Sequence, residues 1–252
     1  MRASTKRHWE SFWDRSQAIG DVYDTGARVV EALCRTLEPR GARILEVGAG
    51  SGRDSLELVR RGAAVWVVDY TPSALRLIGR QPGGAQLVRV CGDATRLPFQ
   101  SGSFDAVFHQ GLLEHFRDPA PLLAENARVL RRGGLLLVDV PQRWHYYTPL
   151  KHLMIALDRW FAGWETEFTI GGLRRHLRAA GLVPVYEYGD YCVPNLFYRV
   201  ARKALLPHGV RLPLQPRLPL VGPALAALRG GLGRTALPLY TGMNIGCVAR
   251  KE

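Results

Sequence analysis

Cysteine is scarce in this 252-residue chain. The four present, Cys34, Cys91, Cys192 and Cys247, lie far apart, and no C-x-x-C pair occurs. That argues against a disulfide framework or a zinc site and fits a reducing, cytoplasmic setting. Long apolar runs are missing too. No stretch approaches the roughly 20 residues a spanning helix needs, and the longest candidate, 218–228, is broken by Pro219, Gly222 and Pro223. The first ten residues hold no apolar h-region and do not read as a secretory signal. Acidic residues vanish from Tyr191 to Lys251, where nine Lys/Arg stand with no Asp or Glu. Of the net charge of +12, that stretch therefore carries +9. A run of this kind is a solvated basic surface, or one that meets an anionic membrane, an acidic acceptor or nucleic acid.

What is present centres on residues 44–54, Ile-Leu-Glu-Val-Gly-Ala-Gly-Ser-Gly-Arg-Asp. An apolar run with one carboxylate, Glu46, gives way to glycines at alternate positions. This reads as a buried strand, a tight turn and a helix start. Glycine tolerates positive φ and lets a ligand approach the backbone. The helix beyond offers unpaired N–H groups at its first turn. The pattern is G-x-G-x-G, with Arg53 where a dinucleotide fingerprint would place its last glycine. That difference favours S-adenosylmethionine (SAM) over NAD.

An α/β rhythm continues around this turn. Helices are expected over 22–38, 54–61, from 71–73 onward, 119–131 and 169–180. Strands are expected over 43–47, 64–69, 87–91, 104–110, 135–140, 183–188 and 243–250. Leu150, Leu153, Met154, Leu157 and Phe161 share one helical face, expected to be core or a lid. Seven prolines fall between 194 and 238. The organisation implied is a single domain over 1–252, with a core of about 22–190 plus the final strand and an insertion at about 194–238. The fold class is α/β: a doubly wound, seven-stranded, mostly parallel sheet with helices on both faces and an insertion before the last strand.

The segments ILEVGAGSGRD (44–54), VVDYTPSAL (67–75), GDATRLPF (92–99), FDAVFHQGLLEHF (104–116) and ARVLRRGGLLLVDVPQ (127–142) stand in order. ETEFTIGGLRRHLRAAGL (165–182) matches in style. With them the chain resembles the Rossmann-like class I SAM-dependent methyltransferases of the small-molecule type. The resemblance spans roughly residues 40–190. It implies SAM as cofactor and S-adenosylhomocysteine as product. On it, Gly48, Gly50 and Gly52 pass beneath the methionine part, with Glu46 near the amino group or holding the loop. Asp69 accepts the ribose hydroxyls or caps the next helix, and Tyr70 stacks nearby. The Asp93 side chain and the Ala94 N–H meet the adenine, and the backbone at Gln110 meets the amino group. His115 is either a general base for a hydroxyl acceptor or a helix-start residue packed beneath the site. His109 is an acceptor-pocket candidate or a packed side chain. His145, Tyr146 and Tyr147, in the loop after the fifth strand, wall the acceptor pocket. Phe99 is expected in the core.

The Asn/Asp-Pro-Pro-Tyr motif of amino-directed methyltransferases is absent, which favours O-methylation of a small or lipid-like acceptor. No metal-ligand cluster is legible, so none is expected. Other readings stay open. One is a SAM-binding regulatory protein without turnover; another is a nucleic-acid methyltransferase, prompted by the basic tail but lacking an RNA-binding module. A nicotinamide oxidoreductase would use Tyr147-x-x-x-Lys151, but Pro149 breaks the helix that pair requires. The basic insertion adds an expected peripheral contact with anionic membrane at the inner surface.

Overall fold

The computed structural model describes residues 5–15, 27–160, 162–191, 196–205, 208–213, 227, 230–233 and 235–252. The run Arg43–Val47 (β1) is buried from its second residue onward. It lies between two parallel neighbours, Ala64–Asp69 (β2) and Phe104–Gln110 (β4). Val88–Cys91 (β3) pairs outside β2, and Leu130–Pro141 (β5) pairs with β4. Asn244–Lys251 (β7) inserts antiparallel between β5 and Leu182–Asp190 (β6). The sheet order is therefore β3-β2-β1-β4-β5-β7-β6. Six strands run one way and β7 the other, as the mostly parallel reading expects.

Alternate residues of each strand face opposite sides, and both sides are covered. Leu45, Val47, Val107, Leu136 and Val138 pack with Ala120–Val129 (α5) and Ile170–Ala179 (α7). Ile44, Val65, Val67, Phe108 and Leu137 pack with Arg28–Thr36 (α2), Arg53–Arg60 (α3) and Ile78 of Pro72–Gly79 (α4). Aliphatic strands buried on both faces are the signature of a parallel sheet sandwiched between helices. Strand order reverses between β1 and β4, so their carboxyl ends open the crevice where such sheets take ligands.

Several local expectations change. The helix expected over 119–131 stops at Val129, because Leu130 pairs with Phe104 and starts β5 early; a register irregularity absorbs the Arg131–Gly134 stretch. Thr71 does not cap α4 with its side chain; its hydroxyl goes to Asp69 at 2.6 Å. Thr169 does cap α7, accepting from Gly172 N–H at 3.1 Å. The early part of the 22–38 helix, Phe161 and parts of the 194–238 insertion, chiefly 214–226, lie outside the described residues. Within that insertion, Leu196–Leu205 is helical (α8). Lys6–Arg15 (α1) is a helix that periodicity alone left unnoticed; it packs on α4. Among the described residues no helix is long and apolar enough to cross a membrane.

The helix Thr148–Ala156 (α6) contradicts its expected face. Leu150, Leu153 and Leu157 point to solvent, while Lys151 and Ile155 are buried. The reason is electrostatic: Lys151 is drawn inward onto two glutamates, Glu165 at 2.9 Å and Glu167 at 2.6 Å.

Candidate functional site

A cavity of about 440 Å³ opens at the switch point, within the size range of small-molecule sites. Its floor is the turn after β1. Gly48 and Gly50 have φ of 68° and 51°, the left-handed region that penalises a side chain. Both turn amides at 48 and 49 donate to the Val68 carbonyl, at 2.8 and 3.2 Å. A Cβ on Gly48 would strike Leu112, and one on Gly50 would meet the Trp13 ring.

Asp69, at the end of β2, ties this turn to the start of α4. One oxygen accepts from Gly50 N–H at 2.9 Å; the other accepts from Thr71 N–H at 2.9 Å and its hydroxyl at 2.6 Å. Burial raises its pKa, and the Thr71 and Gly50 hydrogen bonds oppose that rise. Each carboxylate oxygen offers two lone pairs, so acceptor capacity remains toward the cavity that Asp69 lines. Glu46 also lines it and is buried; Ser55 donates to it at 2.5 Å. Burial, then the nearby Asp54 carboxylate, raise its pKa well above the ordinary value. Across the cavity stand Tyr70, Asp93, Ala94 and Gln110. Burial pushes the Tyr70 hydroxyl up to about 12. Asp93 accepts from the Thr95 amide and hydroxyl, both at 2.8 Å, which fixes the loop after β3.

His115 closes the far end of the cavity. Its Nδ1 lies 3.3 Å from the Trp164 carbonyl. A carbonyl only accepts, so the ring donates in this contact, and the Gly111 backbone is a further hydrogen-bond partner of the imidazole. Burial lowers the pKa of His115, with Glu165 pulling the other way. Behind it, Glu114 is buried, and burial with Glu165 raises its pKa well above the ordinary value. Lys151 stays charged: burial opposes its charge, but Glu165 and Glu167 outweigh burial and raise its pKa.

Five sequence candidates fall elsewhere. His109 is fully buried in β4 with neither ring nitrogen hydrogen-bonded, and burial drops its pKa to about 3. It is a core residue, off the cavity wall. Gly52 also leaves the wall: it starts α3 with φ 65° against the Ile78 side chain. His145 is buried, its Nδ1 accepting from Tyr147 N–H at 3.3 Å, and it stacks 4.1 Å from Tyr146. Tyr146 is 60% exposed, and Tyr147 meets Trp160 at 5.8 Å. These three residues of the post-β5 loop do not line the cavity, because the loop turns outward to lead into α6.

Among the wall residues the sequence did not single out are Trp9 and Trp13 of α1. Trp9 meets the His115 ring edge-on at 5.1 Å. Glu10 anchors the helix by accepting from Ser73 N–H at 3.2 Å. The i, i+3, i+4 spacing of Trp9, Phe12 and Trp13 was the available signal.

Residues 45–138, which carry this turn, both acids and β4, match the family described as "Methyltransferase domain". That match covers well under half of the 252 residues. The ubiquinone biosynthesis O-methyltransferase of Xanthomonas axonopodis pv. citri is 33% identical over 135 residues, which are 52% of this chain and 56% of that protein. The chain thus spans about half the length of the curated relatives it matches. Among solved structures, a SAM-dependent methyltransferase of Thermotoga maritima, a possible histamine N-methyltransferase, aligns over 98% of this chain and 99% of its own. Its TM-score is 0.64 at 17% identity. The cyclase SpnF aligns over 89% and 80%, with TM-score 0.62 at 24% identity. These likenesses show the fold alone. The reaction has to be argued from the site.

Proposed function

We propose that the protein transfers a methyl group from SAM to a hydroxyl of a small or lipid-like acceptor. The observation that carries this reading is the joint placement, around one cavity, of the Gly48–Gly50 turn, Asp69, Asp93–Ala94 and His115. The residues fit the cofactor. The glycine turn presents bare backbone, buried Asp69 keeps acceptor capacity for a ribose hydroxyl, and Glu46 suits an ammonium group. SAM supplies an electrophilic methyl on a sulfonium. The chain's own work is to orient, exclude water and move one proton. Trp9 and Trp13 close the cavity over the turn. His115, held by the Trp164 carbonyl and the Gly111 backbone, is the cavity-lining group that takes the acceptor's hydroxyl proton. Its low pKa keeps it neutral, and so competent as a base, near neutral pH.

The match to an O-methyltransferase of ubiquinone biosynthesis supports oxygen as the nucleophile. We take the chain as one cytoplasmic domain, with the basic stretch 191–251 shaping the acceptor side or touching anionic membrane. Calorimetry with SAM, followed by labelled-methyl transfer to cell-extract acceptors, tests the reading. Binding of SAM and S-adenosylhomocysteine, and a labelled product lost in His115→Ala by about 10²–10⁴ in turnover, are expected. A wild-type chain that binds neither ligand overturns it. Binding with no labelled product across extracts leaves the regulatory reading instead.

A further inference from the structure

Helix α6 is built inside out. In an ordinary surface helix the apolar stripe faces the core and the charges face water. Here Lys151 is 3% exposed, held between Glu165 and Glu167, while Leu150, Leu153 and Leu157 are 48%, 54% and 54% exposed. Positions i, i+3 and i+7 share one helix face, so the three leucines form a single outward ridge. The loop leading into α6 adds Trp144 at 68% and Tyr146 at 60% exposure. Taking a lysine out of water is costly unless it is paired. The two glutamates meet that condition, which keeps the charge off the outer face. A concentration of exposed apolar side chains of this size marks an interaction surface.

We propose that α6 and its leading loop dock on an anionic bilayer surface. The leucine ridge enters the acyl boundary, and Trp144 and Tyr146 lie at headgroup level, where amphipathic aromatics settle. Charge selects this occupant. Exposed Arg143 and Arg159 flank the helix, with one exposed acid, Asp158, beside Arg159, and the chain carries +12 overall. Anionic headgroups complement that charge, whereas a second copy of the same chain would bring like charge together. The ridge is also linked to the site. Lys151 binds Glu165, and the adjacent Trp164 carbonyl holds His115. A docked α6 is therefore joined through Glu165 and Trp164 to His115 on the cavity wall, and the docking deepens the lipid-like branch of the proposed function. Docking itself rests on α6 alone.

The test is co-sedimentation of the full chain with vesicles of phosphatidylcholine and phosphatidylglycerol at equal parts, and of phosphatidylcholine alone. Wild type is expected to bind the mixed vesicles and to release as salt rises. Leu153→Glu/Leu157→Glu should lower the bound fraction at least tenfold with an unchanged thermal midpoint. Arg143→Gln/Arg159→Gln should lower it a few-fold. Val88→Glu, on the far edge strand, should leave it unchanged and serves as a control for an added acid away from the ridge. Equal, negligible binding to both vesicle types overturns the proposal, and so does full binding by the double-glutamate variant. A dimer in sedimentation analysis that dissociates in that variant assigns the ridge to self-association and also overturns it. No outcome depends on methyl transfer, so failure here leaves the proposed reaction standing, and failure there leaves the docking result readable.

Discussion

The Trp9 indole stands edge-on to the His115 imidazole, ring centroids 5.1 Å apart at 70°. A residue of the first described helix thus helps bury the proposed base at the end of β4. Burial disfavours the imidazolium and is the largest cause of the lowered pKa of His115. A base must be unprotonated to act. The acid limb of kcat/KM is therefore expected below the ordinary value of 6.5, with activity lost as pH falls through it. Trp9→Ala admits water, so the limb should move up toward 6.5. A limb that stays put in Trp9→Ala, measured by pH–rate profiles, would remove Trp9 from this role.

Gly50 and Trp13 are coupled by contact. A Cβ on Gly50 would come within 2.5 Å of the Trp13 ring. Gly50→Ala should push α1 off the turn and weaken SAM binding at least tenfold. In Gly50→Ala/Trp13→Ala the space is restored, but the alanine still sits at φ 51°, costing about 1–2 kcal/mol. Partial recovery of affinity in the double variant is expected. Strict additivity in the double-mutant cycle would show that the two do not interact.

Asp69 holds the turn even before any cofactor arrives. Asp69→Ala leaves the buried Gly50 and Thr71 donors without their carboxylate partner. A loss of about 1–3 kcal/mol in the stability of the apo protein is expected, together with weaker SAM binding. Denaturant melts without ligand check the first part. An unchanged apo midpoint would reduce Asp69 to a ligand contact only.

His109 governs stability rather than chemistry. Its folded pKa of about 3 lies below the ordinary 6.5, chiefly through burial. Between these values the unfolded chain binds a proton that the folded chain refuses. Stability should therefore be full above about 6.5 and fall as pH drops toward 3. His109→Leu removes that penalty, so its stability should decline less steeply over this window while methyl transfer persists. Loss of activity with intact folding would return His109 to the site.

The sequence by itself determined the sheet and the strand-end residues that meet at the cavity. Both are local in character: glycines and acids stand at strand ends, with Gly48 and Gly50 in the β1–α3 turn, Asp69 between β2 and α4, and Asp93 in the loop from β3 to β4. Only the tertiary structure decided the acceptor side. His109 and His115 are six residues apart, yet one is sealed between sheet layers and the other faces the cavity. Strand alternation and the 3-10 turn at Leu113–His115 separate them. The outward leucines of α6 were illegible for a similar reason. Apolar periodicity names a face but not its direction, and here Glu165 and Glu167, fourteen and sixteen residues beyond Lys151, turned the helix over. Trp9 and Trp13 reach the cavity only because α1 folds back onto α4, a contact between segments about sixty residues apart that no local pattern encodes.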